Sequence, residues 1–306
     1  MTKETLILGS RASLLALRQA EMVKDRLIEM HPGITITIRR ITTTGDRITD
    51  APLARMGGKG LFIKEIEEAL LAGEIDLAVH SLKDMPAELP PGVTIAAVTE
   101  REDPRDALIT REGTGTLLTL PSGARIGTSS LRRSVQLKAL RPDLEVLPLR
   151  GNVDTRMRKL DAGQYDAIVL AAAGLNRLGL AHRITEWISP DLLLPAIGQG
   201  ALALETRADD QETLALVGGL NHAPTEVAVT AERAFLRRFG GGCQIPLAAY
   251  AEIQGNELRL RGLIASLDGR RLLKDQVVGS VFDGENLGHH LARRLIEAGA
   301  LDLLES

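Results

Sequence analysis

The sequence has little of several things that decide what a protein can do. It contains one cysteine, Cys243, so it can form no internal disulfide and no metal site with several cysteines, and we expect no bound metal. Aromatic residues make up only 2% of the chain, too few for a surface that stacks nucleic-acid bases. The net charge of −3 provides no basic field to attract a nucleic acid. We therefore expect no nucleic-acid partner.

Long apolar runs are also missing. No uninterrupted apolar stretch approaches the roughly 20 residues that a membrane-spanning helix needs. The first residues, Met1–Thr5, lead directly into a strand-like segment without the apolar stretch of a signal peptide. The sequence therefore predicts a protein of the cytoplasm that does not contact a membrane.

The chain is long enough for two or three domains. Its 306 residues, 44% hydrophobic and 25% charged, have the composition of a globular protein. Of the 37 basic residues, 29 are arginine, whose guanidinium binds carboxylates and phosphates through paired hydrogen bonds. A GC-rich genome would produce the same bias, so both explanations stay open.

A repeat within the chain indicates two similar units. Leu6–Leu14 has the pattern of a strand, a Gly/Ser turn and the start of a helix, and Ile126–Leu131 has the same pattern. Downstream, Leu70–Val79 matches Lys159–Val169, and each indicates a helix that ends at a left-handed glycine before a new strand. Because strand–helix–strand units form parallel sheets, we predict two α/β lobes with a cleft between them.

The pattern changes after residue 219. A helix is predicted over Thr230–Phe239, followed by two strands joined at the hairpin signal Asp268-Gly269 and by a closing helix. This is the pattern of a small α+β domain. The predicted domains are a first lobe of residues 1–100 with 200–218, a second lobe of residues 101–199, and a C-terminal domain of residues 219–306.

Each predicted lobe has a hydroxyl-rich turn where a strand meets a helix. The turns are Ser10–Ser13 in the first lobe and Thr128–Ser130 in the second. Ligands of open α/β sheets bind at the carboxyl ends of strands, where the N–H groups that begin a helix favour anions. Helix capping alone would also explain the hydroxyls. Two matched turns with arginines close by favour an anion-binding cleft.

Polar residues cluster after the predicted strand that ends near residue 80. His80, Ser81, Lys83 and Asp84 occupy four of five positions shortly before Pro86. A carboxylate among basic groups could stabilise a developing cation or carry a proton. Lys83 and Asp84 could instead form only a surface ion pair, and this alternative stays open.

The single cysteine follows three glycines, Gly240–Gly242. Glycines are poor core material and let a ligand approach the backbone closely, which favours a reactive or modified thiolate at Cys243. An inert buried cysteine is the alternative. A papain-like nucleophile is less favoured, because no His or Asn motif accompanies the cysteine.

Arginines are concentrated near the predicted strand ends of the second lobe. They are Arg132, Arg133, Arg150, Arg156 and Arg158. Arginines that face solvent are the ordinary case. Five within 27 positions nevertheless favour a ligand with several carboxylates.

Seven motifs together resemble the porphobilinogen deaminase (hydroxymethylbilane synthase) family, in order along nearly the whole chain. They are Gly9–Ser13, Gly57–Phe62, His80–Asp84, Gly127–Arg133, Leu149–Val153, Gly198–Gly200 and Gly241–Pro246. Any one motif would be weak, but the ordered set is specific. The resemblance implies two lobes like those of type II periplasmic binding proteins, with a cleft between them, plus the small α+β domain.

The resemblance also implies a transferase of tetrapyrrole (porphyrin and haem) biosynthesis. The implied cofactor is dipyrromethane, bound covalently through a thioether to Cys243. Four molecules of the small-molecule substrate porphobilinogen are joined head to tail onto it with loss of ammonia, and hydrolysis releases hydroxymethylbilane. By analogy with the family we expect a monomer.

The family pattern implies roles for individual residues. Asp84 matches the catalytic carboxylate, expected to hold pyrrole N–H groups and to stabilise the positive charge that develops when ammonia is lost. Each porphobilinogen carries an acetate and a propionate, so many cationic and polar groups are implied. The implied cofactor- and substrate-binding residues are Arg11, Ser13, Gln19, Lys59, Phe62, Ser81, Lys83, Thr128, Ser129, Ser130, Arg132, Arg133, Arg150, Arg156, Arg177 and Gln199. One departure is Arg55, where relatives often have lysine.

Two other functions stay open from the residues alone. One is a non-catalytic two-lobed binding protein for a polycarboxylate, which a signal peptide would favour. The other is a cysteine-dependent transferase without a bound pyrrole. The intact mass distinguishes all three, because only a deaminase carries an added dipyrrole.

Overall fold

The structure, a computed structural model, describes residues 3–47, 63–241 and 245–305. These residues form thirteen strands and ten α-helices. The strands are β1 Thr5–Arg11, β2 Thr35–Ile41, β3 Leu77–Ser81, β4 Val93–Val98, β5 Asp106–Thr110, β6 Arg125–Gly127, β7 Glu145–Leu147, β8 Ala167–Ala171, β9 Glu186–Ile188, β10 Leu202–Arg207, β11 Leu247–Gln254, β12 Glu257–Ala265 and β13 Leu272–Ser280. The helices are α1 Leu14–Met30, α2 Thr44–Arg47, α3 Lys64–Leu71, α4 Leu131–Leu140, α5 Val153–Asp161, α6 Ala172–Arg177, α7 Gln211–Gly218, α8 Ala223–Arg237, α9 Gly284–Glu297 and α10 Ala300–Glu305.

Two five-stranded sheets have the same topology. The first has the spatial order β2-β1-β3-β10-β4, and the second has the order β7-β6-β8-β5-β9. In each sheet the first three strands are parallel, and the fourth runs antiparallel to both of its neighbours. The α/β class and the two matching lobes predicted from the repeat are confirmed.

Helices cover both faces of the first sheet. Val23 and Leu27 of α1 pack against Leu8 and Leu204 on one face, and all four side chains are buried. Ile66 and its neighbours on α3 pack on the other face. Each fully buried leucine or isoleucine contributes about 1.5–3 kcal/mol relative to an exposed one, so these helices hold the strand ends firmly in place.

One glycine recurs at the same point of both lobes because the backbone is crowded there. A Cβ on Gly9, in β1, would clash with the side chain of Ile75. A Cβ on Gly127, which ends β6, would lie 2.9 Å from Tyr165. Any larger residue would require these neighbouring side chains to move, so glycine lets each strand lie close to the segment that enters the next strand.

The C-terminal segment is an antiparallel sheet, β11-β12-β13, with helices α8 and α9. A Cβ on Gly288 would clash with the carbonyl of Ala231, so this glycine lets α9 lie close against α8. The prediction that this segment has α+β structure is confirmed. The helix predicted from Thr230 begins earlier, at Ala223, because His222 Nδ1 accepts the N–H of Thr225 and so caps the first turn.

The chain divides into two compact units, Met1–Arg101 with Ala201–Glu226, and Glu102–Gly200 with Val227–Ser306. The first unit contains the first sheet; the second contains the second sheet and the C-terminal sheet. Within the second unit, Val135 and Leu194 pack against Ala248 and Leu263. The predicted boundaries of three domains stay a prediction.

In the part of the chain that the structure describes, no helix combines the length and the apolar character needed to cross a membrane.

Candidate active site

Asp84 lies in a single turn of 3₁₀ helix that directly follows β3. The strand ends at Ser81, and Met85 N donates to Leu82 O at 3.1 Å to close the turn. Leu82 is buried and anchors this turn against the lobe. The polar residues after the strand are therefore held by a fixed backbone rather than by a long loop.

A pocket in the first unit brings together four of the predicted site residues. Arg11, Gln19, Ser81 and Asp84 line it, together with Ala16, Ile63, Val79 and His80. Gln19 Nε2 donates to Ser81 Oγ at 3.0 Å, which fixes the amide beside the strand end. A carboxylate and a guanidinium therefore line one small pocket, beside an ordered amide and hydroxyl.

Asp84 is half-buried and lines the pocket. Ser13 has a local role, because its hydroxyl accepts the N–H of Ala16 at 3.3 Å and caps α1. Capping therefore accounts for Ser13 in the described structure.

Behind this pocket lies a buried group that sequence reasoning missed. His80 Nε2 is 3.1 Å from Glu205 Oε2, and the two side chains are almost completely buried. Glu67 of α3 is nearby: burial, and then the charge of Glu205, raise its pKa to about 7, and His80 opposes them. The signal in the sequence was an acidic residue inside the apolar run of β10.

In the second unit, Arg132 and Arg133 bind one carboxylate. Arg132 Nη1 donates to Asp106 Oδ2 at 2.6 Å, and Arg133 Nη2 donates to Asp106 Oδ1 at 2.7 Å. Both guanidiniums also donate to backbone carbonyls, those of Leu194 and Val169. These two arginines, predicted to bind ligand carboxylates, thus already have an internal partner.

Asp106 opens β5 and is completely buried. Burial alone would raise its pKa, but Arg132 and Arg133 outweigh burial and hold the pKa well below its usual range. Gln199 Nε2 also donates to Asp106 Oδ1, at 2.9 Å, and to Pro104 O at 2.7 Å. Asp106 therefore gathers three of the predicted site residues. The sequence analysis did not identify Asp106 as a site residue, although an acidic residue directly before an apolar strand could have indicated it.

The turn between β6 and α4 uses its hydroxyls on the backbone. Ser130 Oγ accepts the N–H of Arg133 and caps the helix, while Thr128 Oγ1 accepts the N–H of Ser130. Ser129 Oγ donates to Leu149 O at 2.9 Å. Capping and turn formation thus account for the three hydroxyls, and what this turn offers a ligand is its backbone N–H groups.

Three further arginines of this unit, Arg150, Arg156 and Arg177, are half-buried. Arg150 precedes the left-handed Gly151, and Arg156 Nε donates to Gly151 O at 2.7 Å. Arg177 Nη2 donates to Gly200 O at 2.6 Å, but its buried Nε has no partner among the described residues. Burial lowers the pKa of Arg177, and Glu102 opposes this shift. Arg158 is exposed and lies beside Asp154.

Several residues discussed from the sequence lie outside the described part of the chain. They are Arg55, the motif Gly57–Phe62 with Lys59 and Phe62, and Gly242, Cys243 and Gln244.

The described residues fit a ligand that carries both carboxylates and pyrrole N–H groups. The buried Nε of Arg177 is a donor without a partner in the described part of the chain, as carboxylate binding requires. Asp84 provides carboxyl oxygens that can accept hydrogen bonds from N–H groups. The chemistry of these side chains thus suits such a group.

The fold and these sites define a class: an α/β protein of two matched lobes, with a carboxylate in a pocket of the first lobe and buried arginines in the second. Two family models cover most of the chain. Residues 6–215 match "Porphobilinogen deaminase, dipyromethane cofactor binding domain", and residues 227–297 match "Porphobilinogen deaminase, C-terminal domain". The chain therefore belongs to the porphobilinogen deaminase family.

Curated relatives agree over the full length. The porphobilinogen deaminase of Roseiflexus sp. (strain RS-1) is 58% identical over 302 residues, 99% of each chain. That of Syntrophotalea carbinolica is 55% identical over 300 residues, 98% of this chain and 95% of the relative. Among solved structures, the VFT2 domain of Bordetella pertussis BvgS is 15% identical with a TM-score of 0.41, over 70% of this chain and 85% of that chain.

The resemblance predicted from the sequence is confirmed. With it, the predictions of an enzyme of the transferase class and of a dipyrromethane-binding domain are confirmed. The alternative of a non-catalytic binding protein is not supported, because the chain matches both the cofactor-binding model and the C-terminal model of the deaminase family.

Proposed function

We propose that this chain joins four porphobilinogen molecules head to tail onto a dipyrromethane group with loss of ammonia, and then releases hydroxymethylbilane by hydrolysis. The observation that carries the proposal is the placement of Asp84 in one pocket with Arg11, Gln19 and Ser81, in a chain of this family. This pocket has the two charges that the reaction needs: a carboxylate for the reacting centre and a cation for the substrate's carboxylates.

Asp84 acts on the reacting pyrrole. As an ionised carboxylate it only accepts hydrogen bonds, so it binds pyrrole N–H groups and orients the ring. When the amino group leaves the substrate, positive charge develops on the remaining pyrrole. A fixed carboxylate beside that charge lowers the barrier, since it is already in place before the reaction. Gln19 and Ser81 hold the polar wall of the same pocket through their mutual hydrogen bond.

The basic residues bind acetate and propionate groups. In the first unit these are Arg11 and Lys83; in the second they are Arg150, Arg156 and Arg177, together with the N–H groups of Thr128–Ser130. Arg132, Arg133 and Gln199 all bind Asp106. Because two guanidiniums face one carboxylate, this buried cluster has a net positive charge. That charge attracts carboxylates, and the Asp106 hydrogen bonds hold Gln199 in position.

Cys243 attaches the dipyrromethane through a thioether, and Lys59, Phe62 and Ser13 belong to the surroundings of this group and the substrate. When bound, the dipyrromethane supplies the pyrrole carbon to which the first porphobilinogen is joined. The part of the chain near Asp84 orients and stabilises, while the second unit neutralises carboxylates. We further propose that the protein acts as a monomer in the cytoplasm.

The test is the intact mass of the purified protein beside that of Cys243→Ser. We expect the wild-type protein to carry an added dipyrrole and to form hydroxymethylbilane from porphobilinogen. The serine variant should lack both, because an alcohol is far less nucleophilic than a thiolate at neutral pH. Arg293→Leu, at an exposed position on α9, is the control and should keep both. The same added mass on the serine variant would overturn the attachment, and activity without added mass would favour the transferase that lacks a pyrrole.

A further inference from the structure

A buried carboxylate of the C-terminal segment has no role in the proposed binding of substrate. Glu232 lies on α8 and is completely buried. Its Oε2 atom accepts the N–H of Gly198 at 2.7 Å, and its Oε1 atom accepts the N–H of Ala251 at 2.8 Å. One side chain therefore joins three parts of the second unit: the turn after β9, helix α8 and strand β11.

The turn of residues 196–200 (the Gln199 turn) needs support from outside. It closes through a bond of 2.9 Å from Gln199 N to the carbonyl three residues before it. Gly198 and Gly200 have positive φ angles of 69° and 97°, and glycine populates many other conformations when nothing restrains it. Residues 197–200 are buried, so their polar backbone atoms need partners within the protein. The shape of the turn therefore depends on its bonds to other elements.

The Gln199 turn is bonded to groups that are proposed to bind substrate. Gln199 Nε2 donates to Asp106 Oδ1 at 2.9 Å, and Asp106 also binds the arginine pair of α4. At the end of the turn, Gly200 O accepts a hydrogen bond of 2.6 Å from Arg177 Nη2. A shift of the turn would therefore move the amide of Gln199 and the carbonyl that holds Arg177.

Helix α8 also precedes the cysteine that is proposed to attach the dipyrromethane. The helix ends at Arg237, and Gly240–Gly242 and Cys243 follow in the sequence. Because a helix is a rigid element, a bond from Glu232 to the turn also fixes the turn relative to the end of this helix. Glu232 thus links the helix before the cysteine to the part of the second lobe that carries the arginines.

We propose that Glu232 is a positioning residue of the reaction. It holds the Gln199 turn against α8 and β11, and so fixes Gln199 and Arg177 for the carboxylates of the substrate and of the dipyrromethane. This inference rests on the proposed function. A carboxylate suits the role because both of its oxygens accept, so each holds one backbone N–H, whereas the amide of a glutamine has a single accepting oxygen.

A role in folding alone has different consequences. If Glu232 only provided partners for two buried N–H groups, its replacement would lower stability and the yield of active enzyme, and the folded enzyme would keep the wild-type KM. A positioning role changes the folded enzyme itself. Gln199 and Arg177 then bind carboxylates less well in both the ground state and the transition state, so KM rises while kcat changes little.

The first experiment measures whether Glu232 holds the turn. Amide hydrogen exchange is followed by NMR in the purified wild-type holoenzyme, in Glu232→Gln and in Glu232→Asp. Glutamine offers one accepting oxygen instead of two, and aspartate keeps the carboxylate but shortens the side chain by one methylene. We expect the amide of Gly198 to exchange about tenfold faster or more in both variants, because its bond opens more often. A wild-type rate at Gly198 in both variants overturns the proposal.

The matched control is Glu252→Gln. Glu252 follows Ala251 in β11 and is half-buried, and its Oε2 atom accepts a hydrogen bond of 2.8 Å from Arg261 Nη2. The variant removes a bonded carboxylate from the same strand without touching the Gln199 turn. Exchange at Gly198 should therefore stay at the wild-type rate.

The second experiment separates positioning from stability through steady-state kinetics and melting curves of the same proteins. For Glu232→Asp we expect KM for porphobilinogen to rise about tenfold, with kcat within about threefold of the wild type, since bonds to charged groups of the substrate are weakened. Glu252→Gln should match the wild type in both constants. A Glu232→Asp enzyme that melts at a lower temperature but keeps the wild-type KM overturns the positioning role.

A double variant tests whether Glu232 acts through the turn. Gln199→Ala is measured alone and combined with Glu232→Asp. If Glu232 acts by placing Gln199, the rise in KM of the double variant is smaller than the product of the two single rises, because one cause is already removed. A rise equal to that product would show that the two residues act independently, and would overturn the proposal.

These outcomes are separate from failure of the proposed function. If that function were wrong, the wild-type protein would form no hydroxymethylbilane and would carry no added dipyrrole. If only the role of Glu232 is wrong, the wild type is active and loaded, and Glu232→Asp has the KM of Glu252→Gln. The exchange measurement requires no turnover, so it decides whether Glu232 holds the turn in either case.

Discussion

Arg133 and Asp106 are joined by two hydrogen bonds to a single oxygen: Nη2 at 2.7 Å and Nε at 3.0 Å both donate to Oδ1. The neighbouring Arg132 donates to Oδ2, so the two arginines that follow the hydroxyl turn converge on one buried carboxylate. This relationship makes Asp106 the residue on which the position of the arginine pair depends.

We expect Asp106→Asn to lower the free energy of unfolding by about 3–5 kcal/mol, because it leaves two buried guanidiniums without an anionic partner. The exposed Asp25→Asn is the control and should change little. Denaturant unfolding at neutral pH measures both. Because the pKa of Asp106 is lowered in the folded state, its contribution is present above the pKa of an unfolded aspartate and is lost as the pH falls further. The variant should therefore lose less stability on acidification than the wild type.

Replacing either arginine of the pair tests whether their charge also serves the ligand. Arg132→Leu and Arg133→Leu should each reduce stability and the fraction of protein that carries the added dipyrrole, whereas the exposed Arg293→Leu should change neither. Intact mass and thermal melting measure the two effects. Equal and small changes in all three variants would show that the pair has no such role.

Asp84→Asn should reduce kcat about 10²–10³-fold while the melting temperature and KM stay near those of the wild type. The substitution keeps the size of the side chain but removes the negative charge. Asp84→Glu should retain part of the activity, since the charge remains and only its position changes. Lys83→Met separates the two neighbours: if it were as harmful as Asp84→Asn, and both mainly lowered stability, Asp84 would be structural. Steady-state kinetics with melting curves for the three variants decides between these roles.

Glu67→Gln should make the protein more stable at pH 8, on the order of 1 kcal/mol after allowance for the partial exposure of this residue. The pKa of Glu67 is raised in the folded state to about 7 from 4.5. Below about pH 4.5 the carboxyl is protonated in both states, so variant and wild type should be equally stable. As the pH rises to 7, Glu67 ionises in the unfolded chain before it ionises in the folded protein. The wild type therefore loses stability that the variant keeps.

The control for this prediction is Glu68→Gln. Glu68 is exposed, and its Oε1 atom lies 3.7 Å from Lys64 Nζ. The stability of this variant should follow the pH dependence of the wild type. Unfolding measured at pH 4.5, 6 and 8 is sufficient. An identical pH dependence in Glu67→Gln and the wild type would contradict the raised pKa of Glu67.

The features that could be predicted from the sequence are those encoded within one segment or repeated in both lobes. The crowding at Gly9 and Gly127 recurs in both lobes, and so do the serine caps Ser13 and Ser130, so one lobe served as a check on the other. The site around Asp84 was predictable because its polar residues are consecutive at a strand end and match a family pattern.

The partners of these residues were not predictable in the same way. Asp106 and Arg132 are 26 positions apart, and His80 and Glu205 are 125 apart. His80 and Glu205 meet because the antiparallel strands β3 and β10 lie side by side. Asp106 begins β5 and Arg132 lies in the first turn of α4, so their contact depends on how that helix packs against the sheet. No periodicity within a single segment encodes such a pairing, and a lone acidic residue in a sequence does not reveal whether it will be buried.

The position of β10 has a consequence for the protein as it is being made. This strand lies between β3 and β4, so the first sheet has a gap until residues 202–207 leave the ribosome. All strands of the second sheet lie between residues 106 and 188. Synthesis from the N-terminus therefore supplies the second sheet complete while β3 and β4 still present unpaired edges. For that interval the nascent chain displays the kind of open strand that aggregates or is bound by chaperones.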